Sequence, residues 1–131
     1  MRYLAAALLA GTATVSAHAG ETVLYDTAPG WIEVAKVEPK AANSNAIIML
    51  LDQQARIETG RLWTYIDSAV ALDSPEALTR FGTLTASWMP DKGDLIVHRV
   101  ELLRDGEVID VLKGGAKFEV LRRERGQLDL A

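Results

Sequence analysis

The chain has 131 residues, a formal net charge of −4 and no cysteine. That acidity argues against nucleic acid as a partner, because binding phosphates needs clustered Lys and Arg. Without cysteine there can be no disulfide staple, thiol nucleophile, thiolate metal ligand or lipid attachment through a cysteine at a cleavage site.

The amino terminus reads as an export leader. Met1 and Arg2 give a short positive start, an Ala- and Leu-rich run follows, and Ala17-His18-Ala19 places small residues where a signal peptidase reads them. The run is shorter than the roughly 20 apolar residues of a membrane anchor, so no transmembrane anchor is expected after cleavage behind Ala19. Removing residues 1–19, whose only charged side chain is Arg2, leaves 112 residues at −5, enough for one domain without metals or bridges.

Residues 20–45 carry Pro29-Gly30, Pro39 and Asn43-Ser44-Asn45, all turn formers, around Trp31, Ile32, Val34 and Val37. They read as an arm that sets a few apolar anchors on a sheet. Beyond residue 46 the dominant period is two. Residues 47–58 and 62–72 flank Glu58-Thr59-Gly60-Arg61 and read as a hairpin, with Leu62, Ile66, Val70 and Leu72 on one face and Trp63 and Tyr65 on the other. A helix over 45–58 is the alternative, since Met, Leu, Gln and Ala are good helix formers.

Next comes a short helix over 75–81: Ser74 can cap it, Pro75 suits its first position, Ala77, Leu78 and Phe81 face inward, and Gly82 stops it. Leu84, Ala86 and Trp88 alternate with Thr83, Thr85 and Ser87 as in a half-buried strand. A turn over 89–94 leads to a second hairpin, 95–104 with 107–113, closed by Asp105-Gly106, which favours a type I′ turn. After the Gly114-Gly115 reversal, residues 117–123 alternate once more.

Little in this pattern carries chemistry. After leader removal His98 is the one histidine, on a strand face shared with Ile96, Val100 and Leu102. A histidine in an apolar row is more often a packed residue with a local partner than a general base. The acidic turn Asp91-Lys92-Gly93-Asp94 lacks the alternate ligands and closing Glu of an EF-hand. Serine elbows and phosphate loops are absent from the sequence. No catalytic, cofactor-binding or metal residue is assigned, and no cofactor is expected.

Five segments together resemble a known family: LDQQARIE (51–58), DSPEAL (73–78), PDKGDLIVHRVE (90–101), GEVIDVL (106–112) and FEVLRRE (118–124). They are similar to domain of unknown function 3857, which precedes a transglutaminase-like domain in exported bacterial proteins. The resemblance implies a β-rich, sandwich-like accessory domain in the periplasm. The Cys-His-Asp centre of those relatives cannot be carried over, since there is no cysteine to receive it. The family domain continues past residue 124, so the resemblance covers its front part and implies a fragment. It points to a missing C-terminal domain, or another cell-envelope protein, as partner.

The expected organisation is thus a leader (1–19), an arm (20–45), a partial β-rich domain (46–125) and a tail (126–131). The expected fold is mainly β, with antiparallel hairpins in sandwich-like sheets and one short helix. The expected function is a non-catalytic, periplasmic or secreted binding module. One alternative is a small glycan-binding protein using Trp31, Trp63, Tyr65 and Trp88. The other is a hydrolase using His98 with Asp91, Asp94 or Asp110.

Overall fold

A computed structural model of the chain describes residues 2–12 and 22–121. Its elements are β1 (Arg2–Thr12), β2 (Leu24–Tyr25), β3 (Ile48–Glu58), β4 (Arg61–Ala71), α1 (Pro75–Phe81), β5 (Asp94–Arg104) and β6 (Glu107–Asp110). The fold is mainly β, built from antiparallel hairpins with one short helix, as the periodicity predicts. The strands form one sheet in the order β2-β5-β1-β4-β3, with β6 also on β5. β2 pairs with Ile96 and Val97, and β6 with 101–104, so the two share the outer edge of β5 end to end.

Turn chemistry fixes both hairpins. Gly60 closes β3–β4 at φ 73°, a conformation that costs glycine nothing and other residues dearly. The strand reading of residues 48–58 therefore holds over the helical alternative. In the second hairpin Asp105 (φ 52°) and Gly106 (φ 77°) supply the two positive φ angles of a type I′ turn. β6 stops at Asp110, short of the expected 113. There Asp110 Oδ1 accepts the amides of Leu112 (3.0 Å) and Lys113 (3.1 Å), turning the chain out of the ladder.

The helix forms where its caps predict. Ser74 Oγ accepts the Ala77 amide at 3.1 Å, and the Gly82 amide donates to the Leu78 carbonyl at 2.9 Å. Its inward side is narrower than expected, since Ala77 is buried but Leu78 is exposed.

Two expected strands are not strands. Residues 83–88 keep the alternation, with Leu84, Ala86 and Trp88 half-buried and Thr83, Thr85 and Ser87 exposed, yet they join no ladder. Residues 117–121 also join no ladder, and there only Phe118 is half-buried while Val120, expected beside it, is exposed; 122 and 123 lie outside the described residues. Both edges of β5 are occupied, the outer one by β2 and β6 and the inner one by β1, so neither stretch pairs with that strand.

The run read as an export leader supplies the middle strand. β1 pairs antiparallel with β4 from Tyr3↔Ala71 to Thr12↔Leu62, and with β5 from Arg2↔Arg104 to Gly11↔Asp94. A continuous apolar run suits a strand flanked on both edges as well as it suits a leader. The expected cleavage point after Ala19 lies outside the described residues. No helix among the described residues is long and apolar enough to cross a membrane. At the far edge β3 carries exposed Ile48, Leu51 and Ile57.

Candidate functional site

One face of the sheet lies under the arm. β4 turns Tyr65, Asp67, Ala69 and Ala71 to it, all buried, and Trp31, Ile32, Trp63 and Ile96 pack around Tyr65. The arm is pinned at two points. Gln54 exchanges hydrogen bonds with the backbone of Glu33, accepting at 3.0 Å and donating at 2.6 Å. Lys40 reaches Asp73 at 2.7 Å, and that hydrogen bond holds the Asp73 carboxyl below its ordinary range.

A charged row crosses this face. Asp52 on β3 stands opposite Asp67 on β4, and the register continues through Ala7 to Arg99 on β5. Arg99 Nη2 meets Asp67 Oδ2 at 2.8 Å, passing over the strand between them, while Nη1 lies 3.4 Å from Glu101 Oε2. Tyr65 O–H donates to the same Asp67 oxygen at a long 3.4 Å. Asp67 has no exposed surface, and its Oδ1 finds no partner among the described residues.

Removing a carboxylate from water costs more than Arg99 returns, so burial raises the Asp67 pKa above its ordinary value despite the guanidinium. Burial first, and then the Asp67 charge, push the Tyr65 hydroxyl up to about 12. The row can hold a proton at Asp67 above the usual carboxylate range. Asp67 is wholly buried while Arg99 and Glu101 keep 28% and 23% of their side-chain surface, so the row reads as a largely buried polar element of the sheet.

His98 sits beside this row because of a bulge. Ala7 pairs with Arg99 but Leu8 pairs with Val97, so β5 carries one extra residue at His98. The expected row is therefore broken: His98 stays on the face of Ile96, while Val100 and Leu102 turn to the opposite face. His98 Nδ1 contacts the Asp26 carbonyl at 2.8 Å, and its ring is tilted beside Tyr65 with centroids 6.3 Å apart. Nε2 is buried with no partner among the described residues. The carboxylates considered as helpers for His98 lie elsewhere: Asp91 in the exposed turn before β5, Asp94 at the start of that strand, and Asp110 at the end of β6.

The opposite face bears an open groove of about 920 Å³. Its walls are the two extended stretches that join no ladder, with Leu84, Trp88, Phe118 and Leu121 among the lining residues and Val100 of β5 also contributing. The later wall is tied to the sheet edge: the Phe118 amide donates to Tyr25 Oη at 2.8 Å, and Lys117 Nζ lies over the Tyr25 ring. Trp88 thus faces the groove while Trp31 and Trp63 pack around Tyr65 on the other side, so the aromatics considered as a sugar platform are divided between two faces.

Among the described residues no group of three His, Asp or Glu side chains gathers as a metal ion would require. Comparison with protein families, with characterised proteins and with solved structures returns no match to this chain. Sequence reasoning missed the Asp67–Arg99 pair. One signal was available: Asp67 shares the period of Tyr65, Ala69 and Ala71, an acid in an otherwise apolar row. Nothing in the sequence marks the bulge that brings Arg99 onto that face.

Proposed function

We propose that the chain is an exported, non-catalytic binding module of the bacterial cell envelope, of the kind the likeness to domain of unknown function 3857 implies. Its ligand is an extended apolar segment of a protein. The observation that carries this reading is the groove: mostly apolar, and walled by two extended stretches, 83–88 and 117–121, that lie outside the ladders of the described sheet. Such walls suit a peptide, which offers main-chain hydrogen bonds along its length and apolar side chains at alternate positions. Leu84, Trp88 and Phe118 give those side chains a surface to bury against.

Tryptophan emission tests the reading. Titrating the protein with a Leu- and Val-rich extended decapeptide should give a saturable spectral change that Trp88→Phe abolishes, because Trp88 lines the groove. A change produced by peptidoglycan fragments, and lost in Trp31→Phe, would instead favour glycan binding. Hydrolysis of peptide or ester substrates that disappears in a folded His98→Ala protein would overturn the non-catalytic reading. The buried, partnerless Nε2 of His98 is the reason to run that control.

A further inference from the structure

We propose that the gap between β4 and β5 is a strand-accepting slot, which in the exported protein takes an extended, uncharged segment of a partner protein. The inference rests on the export reading. In this structure the slot is filled by residues 2–12, the run that signal cleavage would remove. β4 and β5 are each antiparallel to β1, hence parallel to one another, and both are held through it. Without β1, two strands of eleven residues each lose a ladder edge across a gap one strand wide. Open edges of that length seek pairing.

The segment seated there defines the chemistry of its replacement. Its direction is antiparallel to both neighbours. Beyond Arg2 at its first position it carries no charge, and it is built of Ala, Leu, Gly, Thr and a single Tyr. One position is more demanding than the rest. The Arg99–Asp67 contact of 2.8 Å spans the slot above the register position of Ala7. Strands stand about 4.8 Å apart, so this bridge reaches across two strand spacings, and a residue larger than alanine beneath it would have to displace it. The bulge at His98 sets a second constraint, because the incoming strand must step from the partner of Arg99 to the partner of Val97. The partner therefore presents an extended apolar stretch with a small residue at the position of Ala7. Main-chain pairing would give affinity and that position selectivity.

The test begins with the full chain, expressed in a bacterium with a working export system, and its intact mass. Retention of Met1 would sink the export reading, and the proposal with it, before any binding is measured. If residues 1–19 are gone, the cleaved protein is titrated with a labelled peptide of residues 2–12 bearing a lysine tail for solubility. The expected result is saturable one-to-one binding, slower amide exchange in both β4 and β5 when the peptide is bound, and at least tenfold weaker binding of the Ala7→Trp peptide. Should the cleaved chain aggregate alone, recovery of monodisperse protein on refolding with the peptide would support the slot; aggregation regardless would refute it. Amides of β4 and β5 already protected without peptide, and no binding, would mean that the two strands close on each other. A dimer that excludes the peptide would assign the slot to a second copy. Either result overturns the proposal.

Discussion

Removing Arg99 should cost far more than removing its partner, and the difference should depend on pH. Asp67 is wholly buried, whereas the Arg99 side chain keeps 28% of its surface exposed and has Glu101 as a second partner. In Arg99→Ala the carboxylate is stranded, and breaking a buried pair from that side costs about 3–5 kcal/mol; the partial exposure of Arg99 favours the lower end, about 3. In Asp67→Ala the guanidinium turns to Glu101 and water, and the loss should be about 1–2 kcal/mol, mostly a small cavity and a lost hydrogen bond. The sign of the pH effect follows from the raised pKa of Asp67. The folded state holds this proton more tightly than the unfolded chain does, so stability rises as pH falls from the folded pKa towards the unfolded one. Taking away Arg99 lifts the folded value further and widens that window upward, so the Arg99→Ala deficit should shrink between pH 7 and pH 5. Urea unfolding followed by tryptophan emission reads this directly. With a slope of about 1.5 kcal/mol per M, a 3 kcal/mol loss moves the midpoint by roughly 2 M. Equal losses for the two variants, or an Arg99→Ala loss that is the same at both pH values, would refute the reasoning.

Further expectations concern single side chains. Tyr65, raised to about 12, keeps its proton longer in the folded state, so stability should fall as pH climbs from 10 to 12, by about 2.7 kcal/mol at the full shift; Tyr65→Phe should remove that component of an alkaline unfolding profile. Ser74→Ala deletes the cap on the Ala77 amide and should cost about 1 kcal/mol, seen as a Tm several degrees lower by circular dichroism. Gly106→Ala forces a side chain into the left-handed region at φ 77° and should cost about 1–2 kcal/mol in the same assay.

Much of the fold was legible because it depends on local chemistry. Asp105-Gly106, Gly60 and Ser74-Pro75 each specify a turn or cap within a few residues, and each lies where expected. What escaped the sequence depends on competition between distant segments. Residues 83–88 alternate as a strand should, but whether an alternating stretch becomes a strand depends on tertiary pairing that no local window contains. The face of His98 depends on a bulge set by how β1 and β5 align, and no residue in 94–104 announces it. Arg99 meets Asp67 only across an intervening strand from the other end of the chain, so the pair is invisible to any local window.

The place of β1 also sets an order of events in synthesis. Arg2 pairs with Arg104, so residues 2–12 must wait for β5, some ninety residues later in the chain, before their second ladder can close. Contacts so far apart in sequence form slowly, since the loop between them must first be brought together. For a precursor destined for export this delay is useful. On the export reading proposed above, the amino-terminal run would stay accessible to a translocase while the rest of the chain emerges, and a precursor that lingered before export would fold its own address into the sheet. On that reading, export and folding would compete for the same eleven residues, decided by which process reaches them first.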